Sequence, residues 1–298
     1  MTELLKGIFS VSLIFLGMGA ILVPIFFVIR HRDRTVKLPI DREKLNRLPG
    51  FGIQKQIQEL QFDILSAMLM SVIVVTIPFA FEGLRGYLDK GTFPLAFVGF
   101  IVLGPIYFVV KTYRSMTRLT KLRLGHTAEL ATAAELMRLQ GLGYQVFHDI
   151  QADGFNIDHL VVGINGVFAI ETKGRHKWYS DKKNESNGGQ HKAHELFYRD
   201  GKLVFPSWTE TAPIEQAQRQ AKWVSEWLTK AVGQSIPVIP VLVFPGWMVK
   251  SQTKPPFPII NHKQVAITLP KMNAAIFTQE QVNAIAYQIM QRCLQGKP

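Results

Sequence analysis

The chain has 298 residues, room for one sizeable domain and an appendage. Its net charge is +12, from 34 basic and 22 acidic side chains, and its mean hydropathy of +0.11 is high for a wholly soluble protein. A single cysteine, Cys293, excludes an intramolecular disulfide framework and a cysteine-based zinc site, and it fits a reducing compartment.

The hydrophobicity is uneven. Three long apolar runs come first: 8–29 between Lys6 and Arg30, 64–81 between Asp63 and Glu82, and 93–110 between Lys90 and Lys111. A helix crosses a bilayer core with about 20 apolar residues, range roughly 17–25. The runs therefore predict about three transmembrane helices, making residues 1–117 a membrane anchor with a loop at 30–63. The first run is longer than a signal-peptide core and lacks a small-residue cleavage site before Arg30. A buried core hairpin is the alternative for the other two, but they show no polar face. Residues up to Leu124 hold 16 Lys and Arg against 8 Asp and Glu, so +8 of the net +12 lies beside the apolar runs. Basic residues cluster at 30–55 and 111–123, whereas the loop between the second and third runs has only Arg85 and Lys90. The positive-inside rule then puts 30–63 and the C-terminal domain in the cytoplasm, with the N-terminus outside. The implied location is multi-pass, in an inner or cytoplasmic membrane, with the lipid bilayer as a partner. Residues 38–61 are charged and Gln-rich, read as a short helix or linker broken at Leu48-Pro49-Gly50-Phe51-Gly52.

Residues 118–298 read as an ordinary globular sequence. Arg118 to Gln140 has helical apolar spacing and stops at Gly141-Leu142-Gly143. Strands follow at 144–150, 157–162 and 167–172, the last two joined by Gly163-Ile164-Asn165-Gly166, glycines suited to a tight turn with positive φ. After a polar stretch come a short strand at 203–205, a helix opened by Pro213 and running to about Ala231, and a β-branched strand at 238–244. A weaker strand is predicted at 265–268. Thr278 with Gln281 resembles a capping box for a last helix ending near Leu294. The order is α-β-β-β-α-β with a further strand and helix, which implies an α/β fold around a mixed sheet.

Three charged residues stand at the ends of the two most apolar of these strands: Asp158, then Glu171 and Lys173. Charge among buried apolar neighbours is costly unless paired or metal-bound. On adjacent antiparallel strands, opposed side chains lie about 5 Å apart, so Asp158 and Glu171 can share one cation. Period-two alternation places Glu171 and Lys173 on one face, where the ammonium can orient a water or offset charge on a phosphoryl centre. The Thr172 backbone carbonyl is a further candidate ligand. Hard oxygen ligands of this kind suit magnesium, with manganese as a substitute, and with substrate phosphate completing the shell they suit phosphodiester hydrolysis. A Glu171–Lys173 or Asp158–Lys173 ion pair without catalysis is the bland alternative.

The segments Gly125-His126-Thr127-Ala128-Glu129, Asn156-Ile157-Asp158-His159-Leu160-Val161-Val162-Gly163, Gly166-Val167-Phe168-Ala169-Ile170-Glu171-Thr172-Lys173 and Pro213-Ile214-Glu215-Gln216 resemble the nuclease-related domain, NERD, of the PD-(D/E)xK nuclease superfamily. The resemblance covers roughly 122–228. It implies a restriction-endonuclease-like α-β-β-β-α-β core, a site made of Glu129, Asp158, Glu171, Lys173 and Gln216, and nucleic acid, expected to be DNA, as the substrate. Ile157 stands where the superfamily has Pro, His126-Thr127-Ala128 where a Gly-containing entry is usual, and Ala212 where Asn is usual. The expected function is a membrane-anchored, magnesium-dependent nuclease. The alternative is a non-catalytic nucleic-acid-binding or membrane scaffold protein that keeps the fold.

Other candidates have blander readings. Glu135 is expected to be solvated, and His159 to be packed on the opposite strand face from Asp158. Gln220, one helical turn from Gln216, competes with it for a place in the site. His191 and His194 have a metal-ligand spacing without a matching third ligand. Lys177, Trp178, Tyr179, Lys182 and Lys183 mix charge and aromatic rings in a loop able to stack on a nucleic-acid strand.

Overall fold

A computed structural model describes residues 20, 23–32, 34–35, 47–87, 95–181, 192–273 and 275–295. The chain divides into two compact units, one of Met1–Arg42 with Gln58–Leu119, the other of Glu43–Ile57 with Thr120–Pro298.

In the first unit, two long helices account for most of the described residues: α1, Phe51–Tyr87, whose first turns belong to the second unit, and α2, Leu95–Gln140, which also runs on into it. Their apolar side chains point outward: Leu65, Met68, Leu69, Val72, Leu103, Ile106 and Val109 are all exposed. This is the reverse of a soluble core hairpin. Among the described residues one helical stretch, Phe51–Thr76, is long and apolar enough to cross a membrane, with 11% of its apolar window buried. That differs from the expectation of about three spans. The first run falls largely outside the described residues, and in the third, Leu95 to Val110 is shorter than the about 20 residues a bilayer core needs before Lys111 intervenes. The second run, read from the sequence as 64–81, lies in a helix that starts earlier, at Phe51, so the latter part of the predicted linker is helical.

The second unit is an α/β/α sandwich. Its strands are β1 (Gln145–Gln151), β2 (Asn156–Gly163), β3 (Gly166–Thr172), β4 (Glu195–Arg199), β5 (Lys202–Val204), β6 (Thr209–Glu210), β7 (Val238–Val243), β8 (Met248–Ser251) and β9 (Ile259–Ile260). Helix α3 is Ala212–Val232, α4 is His262–Thr268, and α5 is Gln279–Gln295. The main sheet has the order β1-β2-β3-β7-β9, antiparallel from β1 to β3 and parallel from β3 to β9. A second sheet runs β6-β5-β4-β8.

Alternation along the strands sorts the core. Leu160, Val162, Val167 and Ala169 pack on one face against Ala221, Val224 and Leu228 of α3 and Val282, Ile285 and Ile289 of α5. Val161, Phe168, Ile170, Val241 and Val243 pack on the other against Leu136 and Leu139 of α2 and Val265 of α4. The second sheet closes over Ile214, Ala217, Phe244 and Trp247. The α-β-β-β-α-β order read from the sequence is present, with β4–β6 inserted before α3.

Two local readings are corrected. Residues 265–268 are helical, not extended, because Asn261 caps α4: its side chain accepts the Lys263 N–H at 3.0 Å, and Gln264 Oε1 accepts the Asn261 N–H at 2.9 Å. In the β2–β3 turn only Gly166 has positive φ, at 144°. The turn is instead tied down by Asn165 Nδ2, which donates to the carbonyls of Leu269 at 2.8 Å and Met272 at 2.6 Å. The Thr278–Gln281 box forms as predicted, with reciprocal bonds of 2.9 and 3.2 Å.

Candidate active site

Glu129, Asp158, Glu171, Thr172, Lys173 and Gln216 all line one cavity of about 490 Å³ in the second unit. Their convergence follows from topology. The β2–β3 register pairs His159 with Ile170, which puts Asp158 opposite Glu171 at the open end of the pair. The parallel β3–β7 pairing carries α3 across the sheet and brings Gln216 to the end of β3. Helix α2 delivers Glu129 from the other face, near Thr132, whose hydroxyl accepts from Thr172 Oγ1 at 3.3 Å.

The polar contacts are specific. Asp158 Oδ2 accepts the Thr172 backbone N–H at 2.7 Å. Lys173 Nζ lies 2.5 Å from Glu171 Oε1 and donates to Gln216 Oε1 at 2.8 Å. An ammonium has three donors, so one remains for a substrate oxygen or a water. Glu171 is 2% exposed, and its Oε2 is buried without a hydrogen-bond partner. Desolvation pushes Glu129 up to about 7, helped by the charges of Asp149 and Glu171 and opposed by Lys173 and the Gly50 backbone N–H. Asp158 is held well above the usual carboxylate range, first by desolvation, then by Glu171 and Glu129, against the pull of Thr172 N–H and Lys173. Three carboxylates thus crowd a site whose Lys173 does not offset them all.

That imbalance gives the cavity a surplus of carboxylate over ammonium, which a cation would offset. Asp158, Glu171 and the Thr172 carbonyl fit a hard divalent cation, and the partnerless Glu171 Oε2 is the oxygen such an ion would satisfy. Among the described residues no group of three or more His, Cys, Asp or Glu side chains gathers closely enough to hold an ion alone. A cation here would need backbone, solvent or phosphate oxygens as well.

Residues 124–245 match the nuclease-related domain family, NERD. No match is found among curated proteins or among solved structures. The nuclease-related domain contains every residue predicted for the site, and such a domain implies a nucleic-acid substrate.

The neighbours of the predicted residues sort as follows. Gln220 does not enter the cavity; its Nε2 donates to the Asn156 carbonyl at 3.2 Å. Glu135 pairs with Arg138 at 3.1 Å on the helix surface. His159 is fully buried, its Nδ1 2.8 Å from His148 Nδ1, and desolvation drives both imidazoles toward the neutral form, His148 to about 4. His191, Lys182 and Lys183 lie outside the described residues. Trp178 lines the cavity mouth and Tyr179 is 93% exposed, whereas Lys177 bonds the Gly246 carbonyl at 2.6 Å.

Sequence reading missed the outer wall of the cavity: Ile53, Lys121, Arg175, His176 and Trp208. Arg175 grips Glu210 with two bonds, at 2.8 and 2.9 Å, and so pins the chain after Lys173 to β6. Gly174 lets that chain pass α2, since a Cβ there would come 2.8 Å from the Leu124 carbonyl. The Glu-Thr-Lys-Gly run carries that signal, but only the packing gives it meaning.

Proposed function

We propose that this chain is a divalent-metal-dependent nuclease, held at a membrane, that hydrolyses phosphodiester bonds of DNA. The observation that carries the reading is the convergence of Glu129, Asp158, Glu171, Lys173 and Gln216 on one cavity inside a nuclease-related domain. Asp158, Glu171 and the Thr172 carbonyl would hold a magnesium or manganese ion, which when bound would supply Lewis-acid polarisation of a phosphoryl oxygen. Lys173, steered by Glu171 and Gln216, points its remaining donor at the scissile phosphate or the attacking water. Glu129, poised near neutrality, takes the proton that the water gives up. Trp178 and Tyr179 offer rings to a strand leaving the cavity.

For the membrane, the reading is an anchor through α1, with the nuclease domain in the cytoplasm. The exposed apolar side chains of α1 and α2 and the basic clusters beside them support it.

The test is cleavage by the full-length chain in detergent, on labelled DNA and RNA, with magnesium or with EDTA. Magnesium-dependent cleavage of DNA that disappears in Asp158→Asn and Lys173→Ala is expected. Metal-independent DNA binding without cleavage, equal in wild type and Lys173→Ala, would leave the non-catalytic alternative. The Glu171–Lys173 ion pair is compatible with that alternative on geometry alone.

A further inference from the structure

The segment entering α1 lies far ahead of the matched residues 124–245, yet it belongs to the same compact unit and reaches the cavity. Four contacts place it there. Arg47 Nη1 pairs with Asp149 Oδ2 at 3.3 Å, the two side chains 13% and 6% exposed. The Gly50 backbone N–H bonds Glu129. At Gly52, a Cβ would come 3.0 Å from Asn156 Nδ2 and 3.2 Å from Asp149 Oδ1. The Ile53 side chain lines the cavity.

The positions that receive this segment are shaped for it. Asp149 has a φ of 50°, a left-handed conformation rare for a residue with a side chain and of the strained kind that collects at functional sites. The β1–β2 register pairs His148 with His159 and Ile150 with Ile157, so Asp149 stands opposite Asp158. Its Oδ1 accepts from Asn156 Nδ2 at 3.0 Å, which leaves Oδ2 for Arg47. Gly50 is left-handed, with φ +68°, and a Cβ there would come 2.6 Å from the His126 ring and 3.4 Å from Glu129 Oε2. Only glycine brings this backbone N–H so close to the Glu129 carboxylate without displacing its neighbours.

We propose that residues 47–53 form a strap that completes the catalytic cavity, with Gly50 and Arg47 as positioning residues. Gly50 fixes the Glu129 carboxylate, and Arg47, through Asp149, clasps the strap to β1. The proposal rests on the nuclease reading of the cavity and extends the working unit beyond the matched domain. A fragment that begins at residue 118 lacks the strap.

The test uses the full-length chain in detergent with a short DNA substrate and magnesium. Arg47→Met is expected to lower kcat about tenfold or more while KM stays within about twofold, because a displaced acid or base costs turnover rather than binding. Arg47→Lys restores most of the loss. In a Cys293→Ser background, the pair Gly52→Cys and Asn156→Cys cross-links on oxidation, and the cross-linked protein turns over as fast as its reduced form. Wild-type kcat in Arg47→Met, a cross-link that does not form, or a cross-link that stops a reaction reduction then restores would each overturn the strap while Lys173→Ala remains inactive. A wild-type chain with no magnesium-dependent cleavage would overturn the nuclease reading itself.

Discussion

The Lys173 ammonium lies 2.5 Å from Oε1 of Glu171, two residues before it along the chain and only 2% exposed. Gln216 holds the same ammonium from the opposite side, at 2.8 Å. On the proposed reading the pair has a structural and a chemical contribution, and the two separate by mutation.

Lys173→Met removes the partner of a buried charge. In metal-free protein it should cost on the order of 2–4 kcal/mol and abolish cleavage. Adding Glu171→Gln should recover much of the stability and none of the activity. Thermal unfolding followed by tryptophan fluorescence, beside a cleavage assay, reads both. If the double variant is no more stable than Lys173→Met, the ion pair is not what the lysine contributes.

Glu129 sets a pH dependence. Its carboxyl is raised from 4.5 to about 7 in the folded protein. The unfolded chain therefore releases this proton first, so the contribution is complete below about pH 4.5 and is lost as pH rises through about 7, worth roughly 2–4 kcal/mol. His148 works the other way: lowered from 6.5 to about 4, it costs stability as pH falls from 6.5 through 4. In EDTA the stability of the wild type relative to Glu129→Gln should fall as pH rises from about 5 to about 8, His148 titrating alike in both. Parallel curves for the two proteins would refute the assignment.

Magnesium should reverse part of this strain. Binding to the folded site alone raises stability by about 2.7 kcal/mol at a metal concentration near 100 times Kd, and it releases protons from crowded carboxylates. Differential scanning fluorimetry with magnesium, manganese and EDTA should show the upward shift in the wild type. Asp158→Asn and Glu171→Gln should each remove most of it. An equal shift in all three proteins would place the ion elsewhere.

Trp178, which lines the cavity, and its exposed neighbour Tyr179 should act on substrate binding. Trp178 is 57% exposed and Tyr179 93% exposed, so replacing either by Ala leaves no core void. Each loss should raise KM by the equivalent of about 1–3 kcal/mol with kcat nearly unchanged, more on single-stranded than on duplex substrate. Steady-state kinetics on both substrates decides it, and unchanged KM would make the loop a bystander.

Much of the architecture was legible because its signals are local. Period-two alternation put Glu171 and Lys173 on one face, β-branched and apolar runs marked β2, β3 and β7, and Pro213 and the Thr278–Gln281 box opened α3 and α5. Where two local signals competed, the weaker one was misread: Val265 to Thr268 looked extended until the Asn261 cap was seen to start a helix. The short strands β4, β6 and β8 were missed because two to five residues carry too little pattern, and partners across the second sheet hold them in place.

By itself the sequence singled out Asp158, Glu171 and Lys173 as candidates, since charges at the ends of apolar strands are costly unless paired or metal-bound. Tertiary structure alone decided that Gln216 enters the cavity while Gln220 does not, that Asp149 stands opposite Asp158 in a strained conformation, and that Arg47 and Gly50 reach a site far along the chain. Those contacts depend on sheet order and on helices crossing the sheet. Chain segments far apart in sequence meet only after the core has closed, and no local periodicity encodes that meeting.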